Sequence, residues 1–315
     1  MRNLDSEADL ADIVSLNCSG ISAWRHYDRE ARPGAAARWS ELSRWERWQH
    51  GGPWFDPKLL AFHLQVMKEA GGIALVAREG ETLVGQLELV PSFDDPEGSR
   101  AHLVWVAVDP ARRRQGVGSL LLKHGRRVAH GLGCHRIITY AEDQRAQAFY
   151  ESQGFQTVTR IAEFTKQLAG SSTDPSSGTL QSIPLTWDSR PRPPNGFRLV
   201  IGDNDSPRYT WTCLRQMRTL YALLELETPP PNPWLLRLDE AEAVTVDYEH
   251  VRLWLSPQGS EAPGFPRTAL QRTEQLSRAN AVSRLTATAF SPRFPFLRAE
   301  GYALQKEYPY LTLTL

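Results

Sequence analysis

Cysteine is scarce in this chain of 315 residues: Cys18, Cys134 and Cys213 are odd in number and widely spaced. That pattern argues against a disulfide framework or a cysteine metal site, and it fits a reducing compartment. Net charge is lacking too, because 36 lysines and arginines balance 36 aspartates and glutamates. With no net field, neither nucleic acid nor an anionic membrane is recruited by bulk charge. No apolar run approaches the roughly 18 residues that a membrane-spanning helix needs. The opening stretch MRNLDSEADL is acidic and has no apolar core, so it does not read as a signal peptide. The expectation from these absences is a soluble cytoplasmic protein with no metal, no nucleic-acid partner and no membrane partner.

What is present is an ordinary globular composition, 41% hydrophobic and 23% charged, at a length that suggests about two domains. Residues 169–195 are dense in Ser, Pro and Gly and read as a linker, which leaves 1–168 and 196–315 as domains. In the first domain, Asp5 or Ser6 would cap a helix through LADIVSLN, and a second helix is predicted over about Trp39–Trp48. A third helix starts at Asp56-Pro57 and stops at Gly71-Gly72. IALVARE and TLVGQLELV then form a hairpin, and Ala101–Val108 (AHLVWVAV) is a strand apolar enough for burial on both faces. A helix, the strand CHRIITYA, a short helix capped by Asp143 and the strand FQTVTRIAEFTKQL follow. The order is that of an α/β layered domain.

The segment DPARRRQGVGSLLLKHG gathers three arginines and two glycines where a helix begins. A helix N-terminus presents free N–H groups and the positive end of the dipole, and glycine permits close approach of an anion. Here Arg113-Arg114-Gln115-Gly116-Val117-Gly118 resembles the R/Q-x-x-G-x-G/A signature of the Gcn5-related N-acetyltransferase (GNAT) superfamily. About 30 residues on, FYESQGF (Phe149–Phe155) is similar to that family's FYxxxGF element. The resemblance covers roughly 1–168. It implies an acyltransferase that uses acetyl-CoA as acyl donor, with no metal, and a primary amine on a small molecule or peptide as acceptor.

On that resemblance, backbone amides from Arg114 through Gln115, Gly116, Val117 and Gly118 to Ser119 would cradle the pyrophosphate, with Arg113 adding charge. Val106, Ala107 and Val108 would pair with the pantetheine arm. Tyr150 stands where the family often places the acid for the departing thiolate. Asp143 takes the place of an asparagine that contacts the cofactor. His102 falls at the position of a catalytic glutamate in the histone acetyltransferase branch; Glu88 on the preceding strand and ordered water are the rival bases. The aromatic run WSELSRWERWQHGGPWF, with Trp45 and Trp48 on one helix face, would wall an acceptor pocket or cover the sheet.

The second half reads as a worn copy. Gly116 lies 20 residues before Arg136, and Gly264 lies 20 before Arg284; FLRAEGY (Phe296–Tyr302) echoes FYESQGF, and VRLWLSP echoes the central strand. In the copy Pro266 replaces the second glycine, Glu261 stands at the Arg113 position and Leu297 replaces the tyrosine. The expected fold is therefore α/β (α+β), with two GNAT-like domains, each a mixed, mostly antiparallel sheet flanked by helices. The N-terminal domain would carry activity, and the second would stabilise it or close the acceptor cleft. A non-catalytic acyl-CoA sensor or scaffold is the competing reading, and the chain would be a monomer or a homodimer.

Overall fold

The computed structural model describes residues 2–3, 8–28, 31–93, 98–168, 182–184, 206–226, 234–238, 241–245, 250–255, 265–279 and 282–315. The expected caps Asp5 and Ser6 lie outside the described residues, as do most of the 169–195 segment and residues 261–264. The chain forms two compact units, each of which draws on both halves of the sequence. The first comprises 1–137, 216–229 and 314–315; the second comprises 138–215 and 230–313.

In the first unit β1 (Arg2–Asn3), α1 (Ala8–Cys18), β2 (Arg25–Tyr27), β3 (Pro33–Ala36), α2 (Arg44–Gln49) and α3 (Pro57–Glu69) lead into β4 (Ile73–Glu79), β5 (Thr82–Ser92), β6 (Arg100–Val108) and α4 (Val117–Gly131). The sheet order is β1-β4-β5-β6, antiparallel throughout. Ile13, Val14 and Leu16 of α1 and Leu60 of α3 pack with Trp54, Val76 and Leu83 on one side of the sheet. The helix predicted over Trp39–Trp48 is instead a 3₁₀ turn, Trp39–Glu41, followed by α2. The break occurs because Ser43 takes extended dihedrals, accepts from the Glu46 N–H and receives Glu46 in return, a reciprocal capping box. The β2–β3 hairpin before it was not legible in the sequence. It is tied to α2 through His26 Nδ1, 2.7 Å from Glu46 Oε1.

The second unit holds β7 (Arg136–Tyr140), α5 (Gln144–Ser152), β8 (Gln156–Gln167), β9 (Ser182–Pro184) and α6 (Pro207–Arg215). Next in the chain, α7 (Met217–Leu223) belongs to the first unit, where Gln216 donates to Glu69 at 2.9 Å and Arg44 pairs with Glu225 at 2.5 Å. The second unit continues with β10 (Trp234–Leu238), β11 (Ala241–Thr245), β12 (His250–Leu255), α8 (Phe265–Ala279), β13 (Arg284–Phe290), α9 (Phe294–Ala299) and β14 (Ala303–Thr314). Its strand order is β7-β14-β8-β13-β12-β11-β10-β9. The final long strand of each sequence half is thus exchanged: β8 lies between β14 and β13, antiparallel to both. The repeat is visible in the elements themselves, since α4 and α8 both have 15 residues and β8 and β14 both have 12.

His250 of β12 is buried, with Nε2 2.6 Å from Thr286 Oγ1. Burial first, then the charges of Arg252 and Arg284, push its pKa down to about 2 from the ordinary 6.5. It is therefore neutral when folded, whereas the unfolded chain takes up a proton below about 6.5. Stability should fall as pH drops through that value, by up to ~1.4 kcal/mol per pH unit from this group. Urea unfolding at about pH 7.5 and about pH 5.5 measures the slope, and His250→Gln should reduce it.

Candidate active site

The most informative backbone lies between β6 and α4. Asp109 caps the turn Pro110–Arg112, its carboxylate accepting from the Ala111 N–H at 2.8 Å. Arg114 (φ 64°) and Gly116 (φ 87°) then adopt the left-handed conformation. For arginine that conformation costs roughly 1–2 kcal/mol, so the surrounding structure imposes it. Gly116 is the N-cap of α4, and no side chain caps this terminus. The first-turn amides of Val117, Gly118 and Ser119 are thus left for an anion, at the positive end of a 15-residue helix. Of the three arginines, Arg112 is held by Glu79 at 2.7 Å and Arg113 donates to the Val108 carbonyl at 3.2 Å. Arg114 and Gln115 are exposed at the loop tip.

Two glycines seat this helix. A Cβ at Gly85 would lie 2.8 Å from Leu121 Cδ1 and 3.0 Å from Val117 Cγ1; one at Gly125 would lie 3.2 Å from Leu87 Cδ2. Leu87 and Leu89 of β5 therefore face α4, together with their partners Val106 and Leu103 on β6. Gln86, Glu88 and Val90 face the α1/α3 side, with their partners Ala107, Trp105 and His102. A register shift between Glu88 and Leu89 leaves Val104 as the extra residue, so β6 bulges beside Trp105.

The α1/α3 face carries a buried polar network that joins the sheet to α1 and α3. Glu88 is 0% exposed. Its Oε1 accepts from Trp54 Nε1 at 3.0 Å and from Gln86 Nε2 at 2.5 Å, and its Oε2 lies 2.8 Å from His63 Nε2. Gln86 Oε1 accepts from Asn17 Nδ2 at 3.0 Å, and Asn17 Oδ1 accepts from Trp105 Nε1 at 2.9 Å. Trp54 and Trp105 stack with ring centroids 3.8 Å apart. His102, opposite Val90, is also buried at 2% exposure. Both candidate bases therefore lie out of solvent. Asn17, Trp54, His63, Gln86 and Trp105 were not predicted as site residues. The available signal was the alternation of Gln86 and Glu88 on one face of an otherwise apolar strand.

Nearby, Asp56 caps α3 through the Lys58 and Leu59 N–H groups and pairs with Arg47 at 2.7 Å. Arg47 in turn stacks over Trp39 at 3.8 Å. Trp45 and Trp48 both fall on α2, and neither is fully buried. Among the described residues no group of three His, Cys, Asp or Glu side chains is placed to hold a metal ion, and no helix is long and apolar enough to cross a membrane.

Tyr150 and Asp143 belong to the second unit. Asp143 is the N-cap of α5 and accepts from the Ala146 N–H at 2.7 Å. Tyr150 is the buried residue of α5, its ring against Phe149 and Phe155. Burial pushes its pKa up to about 12, with the Thr139 hydrogen bond opposing and the Glu142 charge adding to the rise.

Residues 39–155 match the model of the acetyltransferase (GNAT) family, and this segment is a GNAT domain. Solved structures share the fold. A candidate acetyltransferase from Pyrococcus horikoshii is 14% identical with a TM-score of 0.53, over 100% of this chain and 88% of that one. A GCN5-related N-acetyltransferase from Kribbella flavida is 15% identical with a TM-score of 0.51, over 99% and 71%. A GCN5-related N-acetyltransferase from Anabaena variabilis is 14% identical with a TM-score of 0.53, over 80% and 64%. No curated protein matches the sequence. The fold is that of GNAT proteins, a mixed, mostly antiparallel sheet flanked by helices, and for the matched segment the family implies acyl transfer to an amine.

Because α4 rests directly on Gly85, Gly85→Ala should overpack the seat and destabilise the first unit by roughly 1–3 kcal/mol. Chemical denaturation of the variant against the wild type measures this. A change below about 0.5 kcal/mol would mean that the contact relaxes at no cost.

Proposed function

We propose that the protein is an acetyl-CoA-dependent N-acetyltransferase whose chemistry resides in residues 1–168. One observation carries the reading: the left-handed pair Arg114 and Gly116 opens α4 without a side-chain cap. Those amides suit a pyrophosphate, Arg113 and Arg114 add charge, and Val106–Val108 offer backbone groups to the amide-bearing arm of the donor. In the proposed reaction an amine attacks the thioester carbon directly. The tetrahedral intermediate collapses with loss of the thiolate, and backbone N–H groups stabilise the oxyanion. Tyr150 supplies the proton to sulfur, and the proton released by the amine passes through ordered water, which restores the tyrosine. With a pKa near 12 it keeps that proton across the working pH range, which suits a hydrogen-bond donor to a developing thiolate.

Two features favour a single working site. In the second copy Pro266 stands at the position of the second signature glycine and supplies no N–H to a donor. Leu297, at the tyrosine position, is fully buried. Residues 196–315 are then a degenerate copy with a supporting role, joined by the 169–195 linker. The docking of α7 beside α2 and α3 fits that role. The acceptor is a primary amine on a small molecule or peptide, and a cytoplasmic location fits the reduced cysteines.

Calorimetric titration with acetyl-CoA, paired with a CoA-release assay over an amine panel, tests the reading. Arg114→Glu should weaken acetyl-CoA binding at least tenfold, because it sets a negative charge beside the phosphates. Tyr150→Phe should lower kcat by roughly 10²–10⁴ while leaving the acetyl-CoA Kd nearly unchanged. Binding without release across the panel would instead point to an acyl-CoA sensor.

A further inference from the structure

The cross-strand partner of Glu88 is Trp105. In the second unit the cross-strand partner of Glu242, on β11, is Trp254, on β12. Both glutamates are buried, at 0% and 3% exposure. A histidine also precedes the tryptophan on each strand, His102 on β6 and His250 on β12. A buried glutamate opposite a tryptophan thus recurs in both copies, including the one whose donor-site residues are lost. A group retained for proton transfer has no reason to persist in that copy, whereas a group that fixes the inner face of the sheet does.

We infer that Glu88 is a positioning residue and not the base: its carboxylate fixes the Trp54–Trp105 pair and, with it, the bulge of β6 beside Val106–Val108. The inference rests on the proposed acyl transfer for its kinetic consequences but not for its structural ones. Every lone-pair direction the network uses on Glu88 is already engaged. Trp54 and Gln86 occupy Oε1, and His63 occupies Oε2. With three donors in place and no solvent exposure, the carboxylate has no open approach for an incoming ammonium. The chain Glu88–Gln86–Asn17–Trp105 runs through successive bonds of 2.5, 3.0 and 2.9 Å, so loss of the carboxylate frees the indole at its far end. Trp105 precedes the residues proposed to hold the acyl arm and faces α1 and α3. The wall it sets is therefore the acceptor side of the thioester.

The two roles separate on conservative substitution. A glutamine at this position still accepts from Trp54 and Gln86, and His63 can meet the new amide by changing tautomer. It cannot accept a proton from an amine. Glu88→Gln should therefore keep kcat/KM for the amine within roughly threefold of wild type, with the acid limb of the pH–rate profile unmoved, whereas loss of a base costs roughly 10²–10⁴. Glu88→Ala should lower kcat/KM for the amine at least tenfold, raise the amine KM and flatten the near-UV circular dichroism of the tryptophans, with the acetyl-CoA Kd within about twofold. Should Glu88→Ala fail to fold, Trp105→Phe removes the far N–H together with part of the stacked ring and should raise the amine KM without moving the pH profile. Glu88→Gln as inactive as Glu88→Ala, with the acid limb lost, overturns the inference, as does an unchanged tryptophan signal in Glu88→Ala. Absence of acetyl-CoA binding by the wild-type protein would instead sink the enzymatic reading, and the dichroism comparison would still decide the positioning role.

Discussion

The first unit is organised by how closely α4 can approach β5. At Gly85 and Gly125 there is no side chain between helix and sheet, so Leu121 and Val117 rest almost on strand backbone. This contact fixes where the N-terminus of α4 emerges relative to the end of β6. The turn that joins them must then reverse within a few residues, and it does so by placing Arg114 and Gly116 in the left-handed region. Packing on one face of the sheet thereby sets the direction of the amides at the helix start, at a local conformational cost that the packed helix offsets.

On the opposite face the constraint is electrostatic. A carboxylate with no solvent exposure persists only when its acceptor capacity is met, and Glu88 meets it with three side chains from three elements. Those elements, the turn before α3, α3 itself and β5, are thereby held at fixed distances. The Trp54–Trp105 stack completes the wall over the bulge. The mixture of apolar contact and satisfied polar network gives this side a specific geometry that apolar packing alone would leave looser.

The repeat shows which features the two copies share. In the second unit the position of Tyr150 holds a buried leucine. The glutamate–tryptophan pair, the 15-residue helix and the 12-residue final strand remain. The shared features are those that build and fill the sheet.

Much of this was legible in the sequence wherever the determinant is local. Asp56-Pro57 announced α3 because an N-cap acceptor followed by proline satisfies the first turn directly. The R-x-x-G-x-G run announced the loop before α4, because left-handed backbone followed by exposed amides needs glycine. Ser43 with Glu46 also carried a local signal, yet the aromatic periodicity of WSELSRWERW masked it and suggested one continuous helix. The residues of β8 read as a strand, but their neighbours β14 and β13 did not follow from them. By itself, then, the sequence determined the start of α3, the strands of the first unit and the glycine-opened loop before α4, all of which depend on residues within one turn of each other. The tertiary structure alone decided the exchange of β8 and β14, the placement of α7 in the first unit and the closure of the Glu88 network. Backbone hydrogen bonds are the same for every strand partner and a buried carboxylate's donors come from distant segments, so these choices are made only when the whole apolar surface is buried at once.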